Sequence, residues 1–409
     1  MHPRPRFRSS SIEYINNGWN LAMVAKIPVN PELLRWAVDR SGLSFSDFKE
    51  PVQAWISGDA QPTVRKLEGF ARKAMVPFGY LFLASPPQES IGVPDFRTFR
   101  DEKRRTFSPN LRDTITDIQR RQAWMRDYLI DAGDEPLPFV GTLNSGQPTK
   151  QAAETIRRQL RLSADWQTKQ STWEAALTEL RLAMEAVGVF VSMTNQVGLN
   201  TRRPLNQEEF RGFVLIDEYA PWVFVNTNDT KSAQMFTLAH EMVHVWVGEP
   251  GLFNLEKLEV HSSNVEQFCN RVAAEFLVPA DSFTKAWART GTVEERCTQI
   301  ARTFKVSPLV AGRRALELDM ISSRAFFQFY QEQMENWRVL KDQKKGNSIP
   351  VFWQQQRLRL GDRFGYAVAQ AYAERKLLPS EALDLTGFKR DTFAKYANNM
   401  LRRMREASQ

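Results

Sequence analysis

A chain of 409 residues with 42% hydrophobic content is long enough for roughly two to four domains and apolar enough to bury a real core. No run approaches the roughly 18 apolar residues of a membrane helix, and no apolar segment long enough for a signal peptide follows the basic start MHPRPRFRSSS. The formal net charge of +8 permits contact with nucleic acid or acidic proteins without demanding either, and the two cysteines, Cys269 and Cys297, fall among apolar neighbours, as buried thiols of a reducing cytoplasm do.

Residues 1–30 read as an N-terminal arm and residues 31–95 as a small helical module. PELLRWAVDRSG predicts a first helix with Leu33, Leu34, Ala37 and Val38 turned inward, and SFSDFK a second with Ser44 as its cap. VQAWISGDAQPT, VRKLEGFARKAM and PFGYLFLASPP follow. This order of helix, WxxG, QPT, helix and apolar closing turn resembles the helix-turn-helix domains of Xre/Cro-type repressors. The interval between Leu43 and Trp55 is several residues short for that pattern, and Pro51 sits inside it, where proline interrupts a helix. Two expectations for residues 31–84 stand side by side: DNA contact, and a domain kept for docking a substrate or repressor. Residues 96–147 read as a basic connector. It holds Arg97, Arg100, Lys103, Arg104 and Arg105, then one long helix beginning near Ser108 as cap with Pro109 in its first turn.

Residues 148–285 carry the chemistry. RGFVLI (211–216) and PWVFVN (221–226) predict two strands joined by DEYA, a hairpin whose edge could pair with an extended peptide or serve only as core. FTLAHEMVHVW follows, and in it His240 and His244 are four residues apart, on one face of a helix, where both imidazoles reach one metal ion. Glu241 between them would face the water that completes the coordination. Chance is a weak explanation, because two of the chain's 4 His fall in this motif. The candidate third ligand is Glu266 in NVEQFCNRVAAEFLVP, an amphipathic helix with Val265, Phe268, Cys269, Val272, Ala273, Phe276 and Leu277 on its apolar stripe. His261, among Ser262, Ser263 and Asn264, is a competing ligand of lower rank. A donor to the developing oxyanion has no clear assignment; Tyr219 and Arg211 are the nearest candidates in sequence.

FTLAHEMVHVWVGEPG, EQFCNRVAAEFLVP and RGFVLIDEYAPWVFVNTND together resemble the ImmA/IrrE-like metallopeptidases, and AAETIRRQLRLS and ALTELRLAMEAVGVFV resemble that family's opening helices and first strand. The resemblance implies a zinc-dependent endopeptidase that cuts a partner transcriptional repressor or antitoxin. It implies His240, His244 and Glu266 as metal ligands, Glu241 as the catalytic carboxylate and Asn270 as a supporting residue beside the glutamate ligand. It also implies that VEERCTQIARTFKVSPLVAGRRALELDMIS, despite its helix-turn-helix rhythm, packs over the metal helices.

The expected fold is α+β and predominantly helical: the small N-terminal domain resembling a helix-turn-helix, a zincin-like peptidase domain with a small antiparallel sheet and the HExxH helix, and a helical region over 286–409. Two functions follow as expectations. One is a cytoplasmic zinc endopeptidase whose cut relieves repression of a stress, mobile-element or defence operon. The other is a DNA-binding regulator or antitoxin-like protein in which the peptidase fold is mainly structural.

Overall fold

The computed structural model describes residues 26–87, 107–253, 264–343 and 352–407. They divide into two compact units, one formed by the described residues 26–87 together with 107–112, the other by those from 113 onward. In the first unit, helix α1 (Pro31–Ser41) starts where the Asn30 side chain accepts the Glu32 N–H, has Pro31 in its first turn and stops at Gly42 in the left-handed region. Leu33, Leu34, Ala37 and Val38 are buried, as their spacing predicts. The helix expected at SFSDFK does not form. Ser44 and Asp47 instead close a reciprocal cap on a single 3-10 turn, Phe45–Asp47, and Pro51 precedes a helix of 6 residues, α2 (Val52–Ser57). Helix α3 (Val64–Ala74) and a 3-10 turn (Phe78–Phe82) complete the unit around Trp55, Leu67 and Phe70.

The long helix α4 (Pro109–Ala132) begins with the Leu111 N–H donating to the Ser108 hydroxyl at 3.2 Å, and the second unit takes it from Asp113 onward. Helices α5 (Thr149–Gln159) and α6 (Trp173–Ala186) lead into strand β1 (Phe190–Thr194), and the hairpin β2 (Gly212–Leu215) and β3 (Trp222–Asn226) leads into α7 (Lys231–Val247). Strand β4 (Gly251–Phe253) and helices α8 (Asn264–Leu277), α9 (Ala280–Ala286), α10 (Val293–Phe304), α11 (Pro308–Glu317) and α12 (Ser323–Gln343) follow. Helices α13 (Phe352–Leu360), α14 (Asp362–Ala373), α15 (Pro379–Thr386) and α16 (Arg390–Ala407) end the described chain. Among the described residues no helix is long and apolar enough to cross a membrane.

The strand order is β1-β3-β2-β4. The hairpin pairs antiparallel, Gly212 opposite Val225 and Leu215 opposite Trp222, and β4 adds antiparallel to β2. The purely antiparallel sheet expected from sequence is overturned by β1, which pairs parallel with β3, Phe190 opposite Trp222. The reason is topological: β3, not β2, lies next to β1, and the second strand of an antiparallel hairpin there runs the same way as β1. Neither hairpin strand is an edge, which corrects the expectation of one there; β3 lies between β1 and β2, and β2 between β3 and β4.

Strands β1, β2 and β3 are buried almost throughout. One face puts Val214, Val223 and Val225 into the same core as Leu238, Met242 and Val243 of α7. The other face is aromatic: Phe213 stacks on Phe224 with centroids 4.8 Å apart, and Trp222 meets the Phe364 ring of α14 edge-on at 5.1 Å. Helices α10 and α11 contribute Cys297, Ile300, Phe304, Ala311 and Ala315 to the core that holds α7 and α8. Both cysteines are free and buried; burial pushes the Cys297 thiol up to about 12.

Candidate metal centre

Helix α7 is capped by Thr230, whose hydroxyl accepts the Ala233 N–H at 3.3 Å, and ends at Gly248. Every residue from Gln234 to Trp246 is buried, so this is a central helix packed all round rather than a surface amphipathic one. His240 and His244 rise from it one turn apart, and Glu266 meets them from the first turn of α8. The two Nε2 atoms are 3.1 Å apart. Glu266 spans the pair, with Oε2 3.2 Å from His240 Nε2 and Oε1 3.1 Å from His244 Nε2. His240 and His244 are 0% and 1% exposed and Glu266 8%, so three polar groups converge inside an apolar core.

These residues suit a metal on two grounds. Donor atoms about 2.0–2.1 Å from a tetrahedral centre stand about 3.3 Å from one another, close to the separations here. The ring orientation also fits. His244 Nδ1 lies 3.0 Å from the Glu249 carbonyl oxygen, which only accepts; the ring proton belongs on Nδ1, and Nε2 turns a lone pair toward the other two donors. A shared cation resolves that opposition of lone pairs. Burial pushes the His240 pKa down, which favours the neutral, ligating ring. Burial alone would push Glu266 up, but the His240 and His244 rings against it outweigh burial and hold the carboxyl far below its usual range.

Glu241 is fully buried, and neither carboxylate oxygen has a hydrogen-bond partner among the described residues. Burial first, and the Glu266 charge second, push its pKa well up. Gly212 explains how close the sheet comes: a Cβ there would lie 2.6 Å from Thr237 Cγ2 and 3.2 Å from Glu241 Cγ. A glycine inside RGFVLI was a legible sign of such an approach, though not of its partner. Asn270, one turn beyond Glu266 on α8, lies near the His240 ring, and its Oδ1 has no hydrogen-bond partner among the described residues. Cys269 is also buried near Glu266 and Glu241, and burial first, then those charges, keep its thiol protonated.

The other candidates fall elsewhere. Arg211 pairs with Asp229, and Tyr219 lies in the turn after Leu215, at the far end of the hairpin from Gly212. His261 lies outside the described residues. The Glu249 carbonyl was not foreseeable, since backbone acceptors carry no side-chain signal.

Residues 194–316 match the family model described as the IrrE N-terminal-like domain, Peptidase_M78. Residues 360–399 match a second model, DUF8813, described as a domain of unknown function. A search of curated proteins found no match. The His240, His244 and Glu266 cluster and Glu241 all lie inside the first matched segment, and that match supports a metallopeptidase-type function for the chain.

Proposed function

We propose that this chain is a cytoplasmic zinc-dependent endopeptidase that cleaves a partner transcriptional repressor or antitoxin, with His240, His244 and Glu266 as ligands and Glu241 as the catalytic carboxylate. The observation that carries the reading is the closed triangle of donor atoms beside an unpartnered buried carboxylate. A scaffold has no use for Glu241 there, since burying an unpaired carboxylate costs stability. Bound zinc would supply an acidified water and polarise the scissile carbonyl. Glu241 takes the proton of the attacking water and delivers it to the leaving amine. The Glu249 carbonyl holds the His244 ring in the orientation that turns Nε2 inward, and Asn270 stands near the His240 ring. An extended substrate would add at β4, because β2 is already paired on both sides.

The partner reading for residues 31–84 favours docking over DNA contact, because α2 offers a major groove fewer than two turns over its 6 residues. That leaves the regulator reading without a comparable observation behind it.

Glu241→Gln tests the reading. Cleavage of a repressor from the same operon should fall by about 10²–10⁴-fold, while zinc content and the unfolding midpoint stay close to wild type. His240→Ala should lose the metal itself. Undiminished cleavage by Glu241→Gln, or equal zinc in His240→Ala, would sink the assignment.

A further inference from the structure

The last turn of α7 is held by chain from more than a hundred residues upstream, outside both matched segments. The Gly141 N–H donates to the Val245 carbonyl at 3.2 Å and the Leu143 N–H to the Trp246 carbonyl at 2.8 Å. These are among the carbonyls that a helix C-terminus leaves without partners. The strap is anchored at its other end by the Leu137 N–H donating to the Glu218 carbonyl at 2.7 Å. Between them the Phe139 ring stacks on Trp246, centroids 4.4 Å apart.

Where strap and helix meet, two glycines touch backbone to backbone. Gly141 and Gly248 have φ of +71° and +79°, and a Cβ on Gly248 would lie 2.8 Å from Gly141 Cα. No Cβ fits on Gly248 without a shift of one backbone against the other. One residue beyond Gly248 stands the Glu249 carbonyl, 3.0 Å from His244 Nδ1.

We propose that the contact between Gly141 and Gly248 is a positioning device for the His244 ring. It sets the direction in which the chain leaves α7, so the Glu249 carbonyl falls on Nδ1, keeps the proton there and leaves Nε2 facing His240 and Glu266. The inference rests on the ligand assignment proposed above. It adds residues 137–143 to the metal centre, as a support that acts through His244 and touches no substrate.

The test compares full-length wild type with Gly248→Ala, Gly248→Asn and Gly133→Ala. Gly133 ends α4 with φ +81° and open space around the position of a Cβ. Its alanine variant therefore carries left-handed strain without a clash. Asparagine tolerates that backbone region better than alanine but keeps the Cβ. Zinc affinity is read by competition with a chromophoric chelator, and ligand geometry by the visible spectrum of the cobalt-substituted protein.

Both Gly248 variants should bind zinc about 10–100-fold more weakly and change the cobalt spectrum. Gly133→Ala should lose stability but keep wild-type affinity and spectrum. Wild-type affinity in a folded Gly248 variant, recovery in Gly248→Asn, or an equal loss in Gly133→Ala would each overturn the inference. If the Gly248 variants do not fold, Phe139→Ala replaces them, because it removes the ring that stacks on Trp246 and holds the strap against the end of α7. A several-fold weakening is expected there, and wild-type affinity overturns the proposal. Wild-type protein that binds no zinc brings down the ligand assignment itself, a result distinct from intact wild-type binding with unaffected variants.

Discussion

Gly212 is where the sheet and the metal helix touch, and its missing side chain determines where Glu241 can sit. Replacing it with alanine puts a Cβ 2.6 Å from Thr237 Cγ2 and 2.9 Å from the Phe224 carbonyl oxygen. The carbonyl belongs to the hairpin ladder and cannot swing away, so β2 or α7 must shift. Overpacking of this kind costs about 1–3 kcal/mol. Gly212→Ala should therefore lower the urea midpoint by that much and slow cleavage further than the stability loss explains, since Glu241 Cγ is also displaced. A variant as stable and as active as wild type would show that the contact relaxes freely. Glu241 and Gly212 form one local arrangement, in which backbone replaces the side chain that would otherwise separate sheet from helix.

Helix α8, which carries Glu266, is held at its opposite end by side chains from three other elements. Arg157 of α5 donates to the Glu275 carbonyl at 2.6 Å and the Phe276 carbonyl at 3.4 Å. Gln167 donates to the Leu277 carbonyl at 2.6 Å and Arg314 of α11 to the Val278 carbonyl at 3.1 Å. Four successive carbonyls are thus satisfied where the helix dipole is negative, and two of the three donors are cationic. Burial lowers the pKa of Arg157 and of Arg314. Arg314 also ion-pairs with the buried Glu275 carboxylate. Arg314→Met should cost about 3–5 kcal/mol, because it leaves Glu275 charged and buried without its cation. Adding Glu275→Gln should restore part of that loss. A double-mutant cycle by chemical denaturation checks it, and strictly additive effects would show that the pair is not coupled.

The C-terminal helices, including the segment of unknown function, belong to the same compact unit as the sheet. Their junction with it is ionic and partly buried. Arg181 of α6 bonds both Glu185 oxygens at 3.1 Å and reaches Asp362 at 3.1 Å, and Arg357 of α13 grips Asp362 with two bonds of 2.6 Å. The Asp362 N–H donates to Glu185 at 3.2 Å, while Gly361, with φ +79°, lets the chain pass close to the Val191 carbonyl of β1. Burial first, then Arg181 working against it and Asp362 with it, place Glu185 at about 7. A carboxyl raised in the folded state favours folding while protonated. Its contribution is complete below the ordinary value of 4.5 and disappears as pH rises to about 7. The amount at stake is about 3 kcal/mol. Glu185→Gln should flatten the fall in stability between those limits, measured as urea midpoints across the pH range. An unchanged slope would place the titration elsewhere.

Several features of this protein follow from residues close together in the chain. His240, Glu241 and His244 share a helical turn because 3.6 residues per turn places them there. The start of α4 at Ser108 and Pro109 and the inward stripe of α1 follow from capping and periodicity in the same way. Such signals act over a few residues and need no partner. The arrival of Glu266 from α8 was legible only as a candidate, because a glutamate on a helix is usually solvated. Tertiary structure alone decided the parallel pairing of β1 with β3 and the addition of β4 at the edge of β2. It alone brought residues 137–143 onto the end of α7 and the C-terminal helices onto the aromatic face of the sheet. Those contacts join segments as far apart as Arg181 and Asp362, through backbone groups and glycines as well as side chains. A glycine marks where two chains can approach closely, but packing of the whole core selects which chain comes near.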